Sequence, residues 1–185
     1  MKFTPTKIAG VWLVELDRRS DDRGWFARTW CAEEFSRHGL HPGLSQCSIS
    51  ANARRGTLRG MHYQCAPHAE AKLVRCIRGA LYDVGLDLRP ASATFRHWVA
   101  AELTAENGRA LYFPAGCAHG FQTLADHTEV FYSIATPWHP ESGRGVRWND
   151  PAFGIQWPLP AEALLSDRDA LYPDFTPGGA AGKSP

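Results

Sequence analysis

The chain has 185 residues, a length that forms one domain with a substantial core and requires neither disulfides nor a structural metal. Its 20 basic and 19 acidic residues give a net charge of +1, which argues against binding to nucleic acid or to an anionic membrane surface. The five cysteines are odd in number and show no CxxC spacing, so they indicate reduced thiols rather than a disulfide framework or a zinc site.

The N-terminal segment MKFTPTKIAG lacks the apolar stretch of a signal peptide, and no later run approaches the roughly 18 apolar residues of a membrane span. We therefore expect a cytoplasmic protein with no membrane partner. Residues 1–175 are predicted to form a single domain. Residues 176–185 are predicted to be a flexible tail, because they are rich in Gly, Ala and Ser and lack apolar anchors.

Short runs rich in β-branched and aromatic residues recur along the chain, separated by Gly, Pro, Asn and Asp. This spacing predicts an all-β sandwich or barrel. Short helices are predicted at residues 32–38 and 160–165. In chain order, the strand-like runs are VWLVEL, GWFARTW, TLRGMHYQ, LVRCI, LYDVGLDL, WVAAEL, ALYFP, GFQTL and EVFYSIA.

A turn at Arg78-Gly79 is predicted to join two of these runs as a β-hairpin. If the strands pair across this turn, Val74 lies opposite Asp83, and period-two alternation puts Lys72 on the same face as Asp83. The pattern then predicts an ion pair between Lys72 and Asp83. The alternative is a solvent-exposed pair of charges at the end of the hairpin.

Two segments carry glycine and histidine at characteristic spacings: GTLRGMHYQ followed by Lys72, and a second segment that contains PAGCAH. They resemble the paired motifs of the cupin superfamily, small jelly-roll barrels built as a double-stranded β-helix. In metal-binding cupins the matching positions are three histidines and a glutamate. Here they are His62, Gln64, Lys72 and His119. Because an ammonium at a ligand position repels a divalent cation, we expect no metal; a metal-dependent cupin is the alternative.

A histidine, a lysine and a tyrosine together suit proton abstraction next to a carbonyl group. The base removes the α-proton, the cation stabilises the enolate oxygen, and an acid on the opposite face returns a proton with inverted configuration. Such a reaction uses no redox cofactor, and the chain contains no GxGxxG or P-loop motif. We therefore expect an enzyme that works without a cofactor.

Seven motifs narrow the resemblance, because they occur in the order found in the dTDP-4-dehydrorhamnose 3,5-epimerase family and span about residues 3–172. The resemblance implies a metal-free cupin barrel and a homodimer that exchanges strands between subunits. It also implies inversion of C3 and C5 in a nucleotide-linked 4-keto-6-deoxyhexose, with dTDP as the nucleotide. The motifs are DDRGWF, GTLRGMHYQ, KLVRCIRGALYDVGLDLR, FPAGCAHGF, EVFYSIA, RGVRWNDP and LSDRD.

The resemblance assigns the proton-transfer roles to four residues of this chain. The base matches His62, and the aspartate that orients its imidazole matches Asp169; a carboxylate on one ring nitrogen fixes the tautomer and raises the basicity of the other. Tyr132 matches the proton donor, although a tyrosine in a buried strand is by itself more often a packing residue. Lys72 matches the residue that stabilises the enolate.

Substrate-binding roles are also implied by the resemblance. Arg23 and Arg59 match groups that bind the diphosphate, which a planar guanidinium can grip through two oxygens. His119 matches a residue near the sugar, and Phe26 is a candidate for lining the nucleotide site. The further candidates are Gln46, Trp138 and Arg168, with Asp83 in a supporting role.

Several positions depart from the family pattern, and they concern recognition rather than proton transfer. A hydrogen-bond acceptor lost from a recognition site changes discrimination by orders of magnitude. The alternatives are therefore an epimerase of C3 only or C5 only, or one that acts on a CDP- or GDP-linked sugar; a non-catalytic sugar-nucleotide binder is a further alternative. The departures are Arg28 and Gly143 for two glutamates, Cys47-Ser48 for Asp-Asn, Trp138-His139 for two tyrosines, and Arg168 for lysine.

Overall fold

The computed structural model describes residues 1–176 and 182–183, and these are mainly β-strands, as predicted. Two short α-helices, α1 (Ala32–Arg37) and α2 (Asp167–Ala170), and two 3-10 turns, Pro140–Ser142 and Pro160–Glu162, accompany them. The strands are β1 (Lys2–Pro5), β2 (Trp12–Glu15), β3 (Arg19–Asp21), β4 (Gly24–Phe26), β5 (Gln46–Asn52), β6 (Leu58–Gln64), β7 (Lys72–Arg78), β8 (Ala80–Asp87), β9 (Trp98–Thr104), β10 (Ala110–Phe113), β11 (Cys117–Thr123), β12 (Thr128–Ile134), β13 (Gly143–Gly145) and β14 (Gly182–Lys183).

Two six-stranded sheets face each other, one with the order β1-β2-β10-β7-β12-β5 and the other with the order β14-β13-β6-β11-β8-β9. Neighbouring strands run antiparallel. Apolar side chains from both sheets interlock between them, among them Val74, Phe113, Phe121 and Val130, which are at most 1% exposed. This arrangement is the cupin-type jelly-roll barrel that the sequence predicts.

Chain segments cover the outer faces of both sheets. Residues 146–157 lay Val146, Phe153 and Trp157 against the second sheet. Helix α1 lays Phe35 against the first sheet, where it joins Leu73 of β7. The strands that carry the candidate site residues are therefore packed on both faces, which restricts the directions in which their side chains can point.

The hairpin predicted at Arg78-Gly79 is wrong, because β7 and β8 belong to different sheets. Val74 pairs with Leu111 and Tyr132 rather than with Asp83. Each of the two strands already has a neighbour on both sides, so the chain crosses from one sheet to the other at the corner. Gly79 permits this turn, since its φ of +74° lies in the left-handed region that favours glycine.

The helix predictions have mixed outcomes. The helix predicted at residues 32–38 is confirmed as α1. Residues 160–165 form only one 3-10 turn, because Leu164 leaves it to bridge to Thr57 and donates its N–H to Gly56 O. Helix α2 was not predicted; Ser166 caps it by accepting a hydrogen bond from the N–H of Asp169.

Most of the tail predicted at residues 176–185 lies outside the described residues, and the domain boundary at residue 175 stays a prediction. Within the part of the chain that the structure describes, the helices are too short to cross a membrane.

Candidate active site

The barrel holds a cavity of about 400 Å³ that opens between the two sheets. Strand β6 contributes Arg59 and His62, β7 begins with Lys72, and β12 contributes Tyr132 from the sheet opposite His62. Helix α2 brings in Asp169. The cavity gathers all the candidates from the sequence except Arg23, Phe26 and Asp83.

His62 and Asp169 form a tight pair at the cavity wall. His62 Nε2 lies 2.6 Å from Asp169 Oδ1, and the other carboxylate oxygen, Oδ2, accepts the N–H of Gly60 at 3.2 Å. Burial raises the pKa of Asp169, but the hydrogen bond and charge of His62 outweigh it, so the net pKa is lowered and the carboxylate is ionised. An ionised carboxylate only accepts, so His62 Nε2 is the donor and Nδ1 carries the free lone pair.

The surroundings of His62 favour its neutral form. Burial lowers the pKa of His62, and the positive charges of Lys72 and Arg168 lower it further. Asp169 opposes this shift by stabilising the imidazolium, yet the net pKa stays below the ordinary value of 6.5. Neutral imidazole is the form that accepts a proton, so His62 is ready to act as a base near pH 7.

Lys72 is the buried cation of the cavity, with only 9% of its side chain exposed. The ion pair predicted with Asp83 is wrong: the ammonium of Lys72 lies 2.6 Å from Glu70 Oε1, while Asp83 contacts His119. The mistaken hairpin register is the reason for the error. Sequence reasoning missed Glu70, because an acidic residue in the loop APHAEA has no periodicity that marks it as buried.

His119 lies beside His62 in the same sheet, since the two are paired residues on the neighbouring strands β11 and β6. His119 Nε2 lies 2.7 Å from Asp83 Oδ1, and the two side chains are almost fully buried. The Tyr132 ring meets the His119 ring edge to face, with centroids 5.9 Å apart. Burial and the charge of Asp83 raise the pKa of Tyr132 far above 10, so its hydroxyl stays protonated at neutral pH.

The mouth of the cavity is basic. Arg59 is exposed there, and its Nε donates to Asn52 Oδ1 at 2.8 Å, which fixes the direction of the guanidinium. Arg168 and Arg144 also line the cavity. Arg144 belongs to the motif RGVRWNDP, but the sequence did not predict it as a site residue. Together with Lys72 these groups outnumber the lining carboxylates, which suits an anionic group such as a diphosphate.

Gln46 and Trp138 meet at the rim, where Gln46 Oε1 accepts the backbone N–H of Trp138 at 3.1 Å. Trp138 is 47% exposed and gives the rim a flat apolar surface. The structure does not bring Arg23 and Phe26 to this cavity. They lie on the two-stranded hairpin β3–β4, where the side chain of Arg23 is 90% exposed and pairs with Asp21, and Phe26 is 75% exposed.

Among the residues that the structure describes, no three or more His, Cys, Asp or Glu side chains are grouped so that they could hold a metal ion. His62 with Asp169, Tyr132 on the opposite sheet and the buried ammonium of Lys72 surround one cavity. A cupin barrel with these groups in its cavity is typical of isomerases that move protons beside a carbonyl group.

Comparison with known proteins narrows the class to one family. The family model for dTDP-4-dehydrorhamnose 3,5-epimerase matches residues 5–176. The epimerase of that name from Sinorhizobium fredii is 43% identical over 175 residues, which cover 95% of this chain and 90% of that protein. The chain therefore belongs to the dTDP-4-dehydrorhamnose 3,5-epimerase family and is an epimerase.

Solved structures agree with this assignment. The crystal structure of dTDP-4-dehydrorhamnose 3,5-epimerase from Elizabethkingia anophelis superimposes with a TM-score of 0.92 at 36% identity, covering 95% of this chain and 96% of the other. ChmJ, a 3'-monoepimerase from Streptomyces bikiniensis in complex with dTDP-quinovose, gives a TM-score of 0.85 at 36% identity and covers 92% of this chain and 86% of the other. Family members with one and with two inverted centres are thus similar to this chain.

Proposed function

We propose that the protein inverts C3 and C5 of dTDP-4-dehydro-6-deoxyglucose, the nucleotide-linked 4-ketosugar that gives dTDP-4-dehydrorhamnose. One observation carries the proposal: His62 and Tyr132 lie on opposite walls of the cavity that Lys72 also lines. A base and an acid on opposite sides of a planar enolate replace a proton with inversion of configuration.

The chemistry runs through two similar steps. His62 Nδ1 takes the proton from the carbon next to the C4 carbonyl, and the electrons of the C–H bond move to the carbonyl oxygen to form an enolate. The ammonium of Lys72 donates a hydrogen bond to that oxygen, and the buried setting strengthens this contact. The Tyr132 hydroxyl then gives its proton to the opposite face of the carbon. Solvent protons restore Tyr132, and His62 releases its proton before the second centre reacts.

The substrate's diphosphate would bind at the basic mouth of the cavity. Arg59 is the principal ligand, because Asn52 holds its guanidinium in place and leaves other N–H groups free for phosphate oxygens. Arg144 and Arg168 add positive charge beside it. The names of the relatives, which include dTDP-linked sugars, support dTDP as the nucleotide.

A homodimer explains why Arg23 and Phe26 lie away from the cavity of their own protomer. The hairpin β3–β4 exposes Trp25 and Phe26, and the edge strand β5 exposes Ile49 at 59%. Exposed apolar groups on a hairpin and a sheet edge are typical of a surface covered by another chain. We propose that the hairpin of one protomer reaches the cavity of its partner and supplies Arg23 and Phe26 to the nucleotide there.

The cytoplasm is the proposed location of this enzyme. All five cysteines are free thiols, and Cys47 is exposed. Reduced thiols of this kind fit a reducing compartment.

An exchange experiment in deuterated water tests the activity. The protein is incubated with dTDP-, CDP- and GDP-linked 4-keto-6-deoxyhexoses, and the position of the label is read by NMR and mass spectrometry. We expect deuterium at C3 and C5 of the dTDP sugar together with the inverted product, and no exchange in His62→Ala. Label at C3 alone would identify a monoepimerase like ChmJ. Absence of exchange with every sugar would overturn the proposed function.

A further inference from the structure

Within the part of the chain that the structure describes, Glu70 is the one acidic side chain that forms an ion pair with Lys72. Its Oε1 lies 2.6 Å from Lys72 Nζ, and only 6% of the Glu70 side chain is exposed. Like Lys72, it lines the cavity rather than the protein surface. Stability alone does not explain a charge pair this deeply buried, because desolvation cancels much of its Coulombic gain.

The second oxygen of Glu70 is also engaged, so the carboxylate is held in one orientation. Oε2 accepts from Gln64 Nε2 at 2.7 Å. Gln64 is itself 1% exposed and is tied to two loops: its Nε2 reaches His68 O and Pro137 O at 3.1 Å, and its Oε1 accepts the N–H of His139 at 2.6 Å. Gln64 of β6 therefore fixes the orientation of the Glu70 carboxylate, and Glu70 in turn contacts the ammonium of Lys72.

A second buried carboxylate, that of Asp83, contacts His119, which lines the cavity together with Lys72. Among the described residues, Asp83 Oδ2 is buried and has no hydrogen-bond partner. Burial raises the pKa of Asp83, and the charges of His119 and Lys72 offset part of this shift. Lysine has a long flexible stem, so without an anchor its ammonium is free to turn toward the unpaired oxygen of Asp83.

We propose that Glu70 is a positioning residue that acts through Lys72, holding the ammonium at the enolate oxygen and away from Asp83. The ammonium of Lys72 forms an ion pair with Glu70, and its three N–H groups give it donors for the substrate oxygen as well. Preorganised donors stabilise an oxyanion because they need no reorganisation during the reaction. The inference rests on the proposed enolate chemistry and adds to it the residue that aims the lysine.

The variant Glu70→Gln tests the inference, because it keeps the size and hydrogen-bonding capacity of the side chain and removes its charge. We expect kcat to fall about 10-fold to 100-fold, which is less than the roughly 100-fold to 1000-fold loss typical when an oxyanion donor is removed outright. KM should change less than about threefold, since the diphosphate contacts are elsewhere. A crystal structure of the variant should show Lys72 Nζ displaced toward Asp83. Glu102→Gln, at an exposed position of β9, is the matched control.

Thermal unfolding of each variant separates positioning from folding. If Glu70→Gln does not fold, Glu70→Asp carries the test: it keeps the charge, shortens the side chain by one methylene and should give a smaller loss of kcat. An unchanged kcat in a folded variant, or a rise in KM alone, overturns the inference while the epimerase activity stands. Absence of exchange in the wild-type protein overturns the proposed function and this inference together.

Discussion

His62 Nε2 lies 2.6 Å from Asp169 Oδ1, although the two residues are 107 positions apart in the chain. Helix α2 makes this contact possible, because Ser166 caps the helix and so fixes where Asp169 points. The carboxylate then accepts the N–H of Nε2 and leaves the lone pair of Nδ1 free, which is the arrangement that the proposed base requires.

Replacing Asp169 by asparagine should lower kcat about 100-fold to 10,000-fold, because an amide can offer its N–H to His62 and stabilise the wrong tautomer. Steady-state kinetics with the dTDP-4-ketosugar measure the loss. The exposed neighbour Asp167→Asn in the same helix is the control and should retain full activity. A kcat for Asp169→Asn within about threefold of wild type would remove Asp169 from the mechanism.

The kcat/KM of the wild-type protein should fall at low pH, where His62 becomes protonated. Burial lowers the pKa of His62 below its ordinary value of 6.5, with Asp169 offsetting only part of the shift. Protonated imidazole accepts no proton, so kcat/KM should fall as the pH drops through this lowered pKa and stay level around neutrality. A profile of kcat/KM from about pH 4.5 to 8.5 measures it. A midpoint above 6.5 would contradict the assignment of His62 as the base.

Replacing Tyr132 by phenylalanine should separate proton removal from proton return. The change leaves the ring packed against His119 and removes the hydroxyl, so turnover to the inverted sugar should fall about 100-fold to 10,000-fold. Deuterium should still enter the unchanged substrate, because His62 can remove a proton and return a solvent-derived one to the same face. Tyr82→Phe, on the outer face of β8 against Trp157, is the control. Equal loss of exchange and turnover in Tyr132→Phe would contradict the division of roles.

The sequence predicts much of this site because the candidate residues fall in spaced motifs that resemble those of a known family. His62 and His119 occupy matching positions of the two cupin-like motifs, and the structure makes them opposite neighbours on β6 and β11. Strand type was likewise predictable for β7 and β8. Their pairing was not, because a glycine with positive φ permits both a hairpin and a corner between two sheets.

Other features depend on tertiary contacts that leave no local trace. Helix α2 has four residues, too few for a hydrophobic period to show. Glu70 is acidic and sits in a loop, so its sequence context indicates solvent, while the fold buries it beside Lys72. The position of Arg23 is the third case: its expected role depends on a second protomer, which one chain's sequence cannot orient.

Mixing two variants that are impaired in different residues of the site tests the proposed dimer. Arg23→Ala should raise KM about tenfold or more through loss of a charge-assisted phosphate contact, and His62→Ala should abolish turnover. If the hairpin serves the partner's cavity, a heterodimer of the two variants has one intact site and one doubly altered site. A statistical mixture then recovers about a quarter of wild-type activity at low substrate concentration. The two variants carry different affinity tags, and sequential purification on both tags confirms that mixed dimers form; mixed dimers without recovered activity would contradict the exchange.

Replacing Asp83 by asparagine should change how stability depends on pH. Burial raises the pKa of Asp83, and the charges of His119 and Lys72 offset this only in part. The folded state therefore holds the proton of Asp83 more tightly than the unfolded state, whose value is 3.8. Stability from this group is fully present below pH 3.8 and is lost as the pH rises through the raised pKa.

The asparagine side chain does not titrate, so the free energy of unfolding of Asp83→Asn should increase relative to that of the wild type as the pH rises above 3.8. Urea unfolding at several pH values and one fixed protein concentration measures the difference, since the proposed dimer would make stability depend on concentration. The exposed Asp167→Asn serves again as the control and should show no such trend. A difference that stays constant or shrinks as the pH rises would mean that Asp83 is stabilised as a carboxylate, and that its unpaired oxygen has a partner in solution.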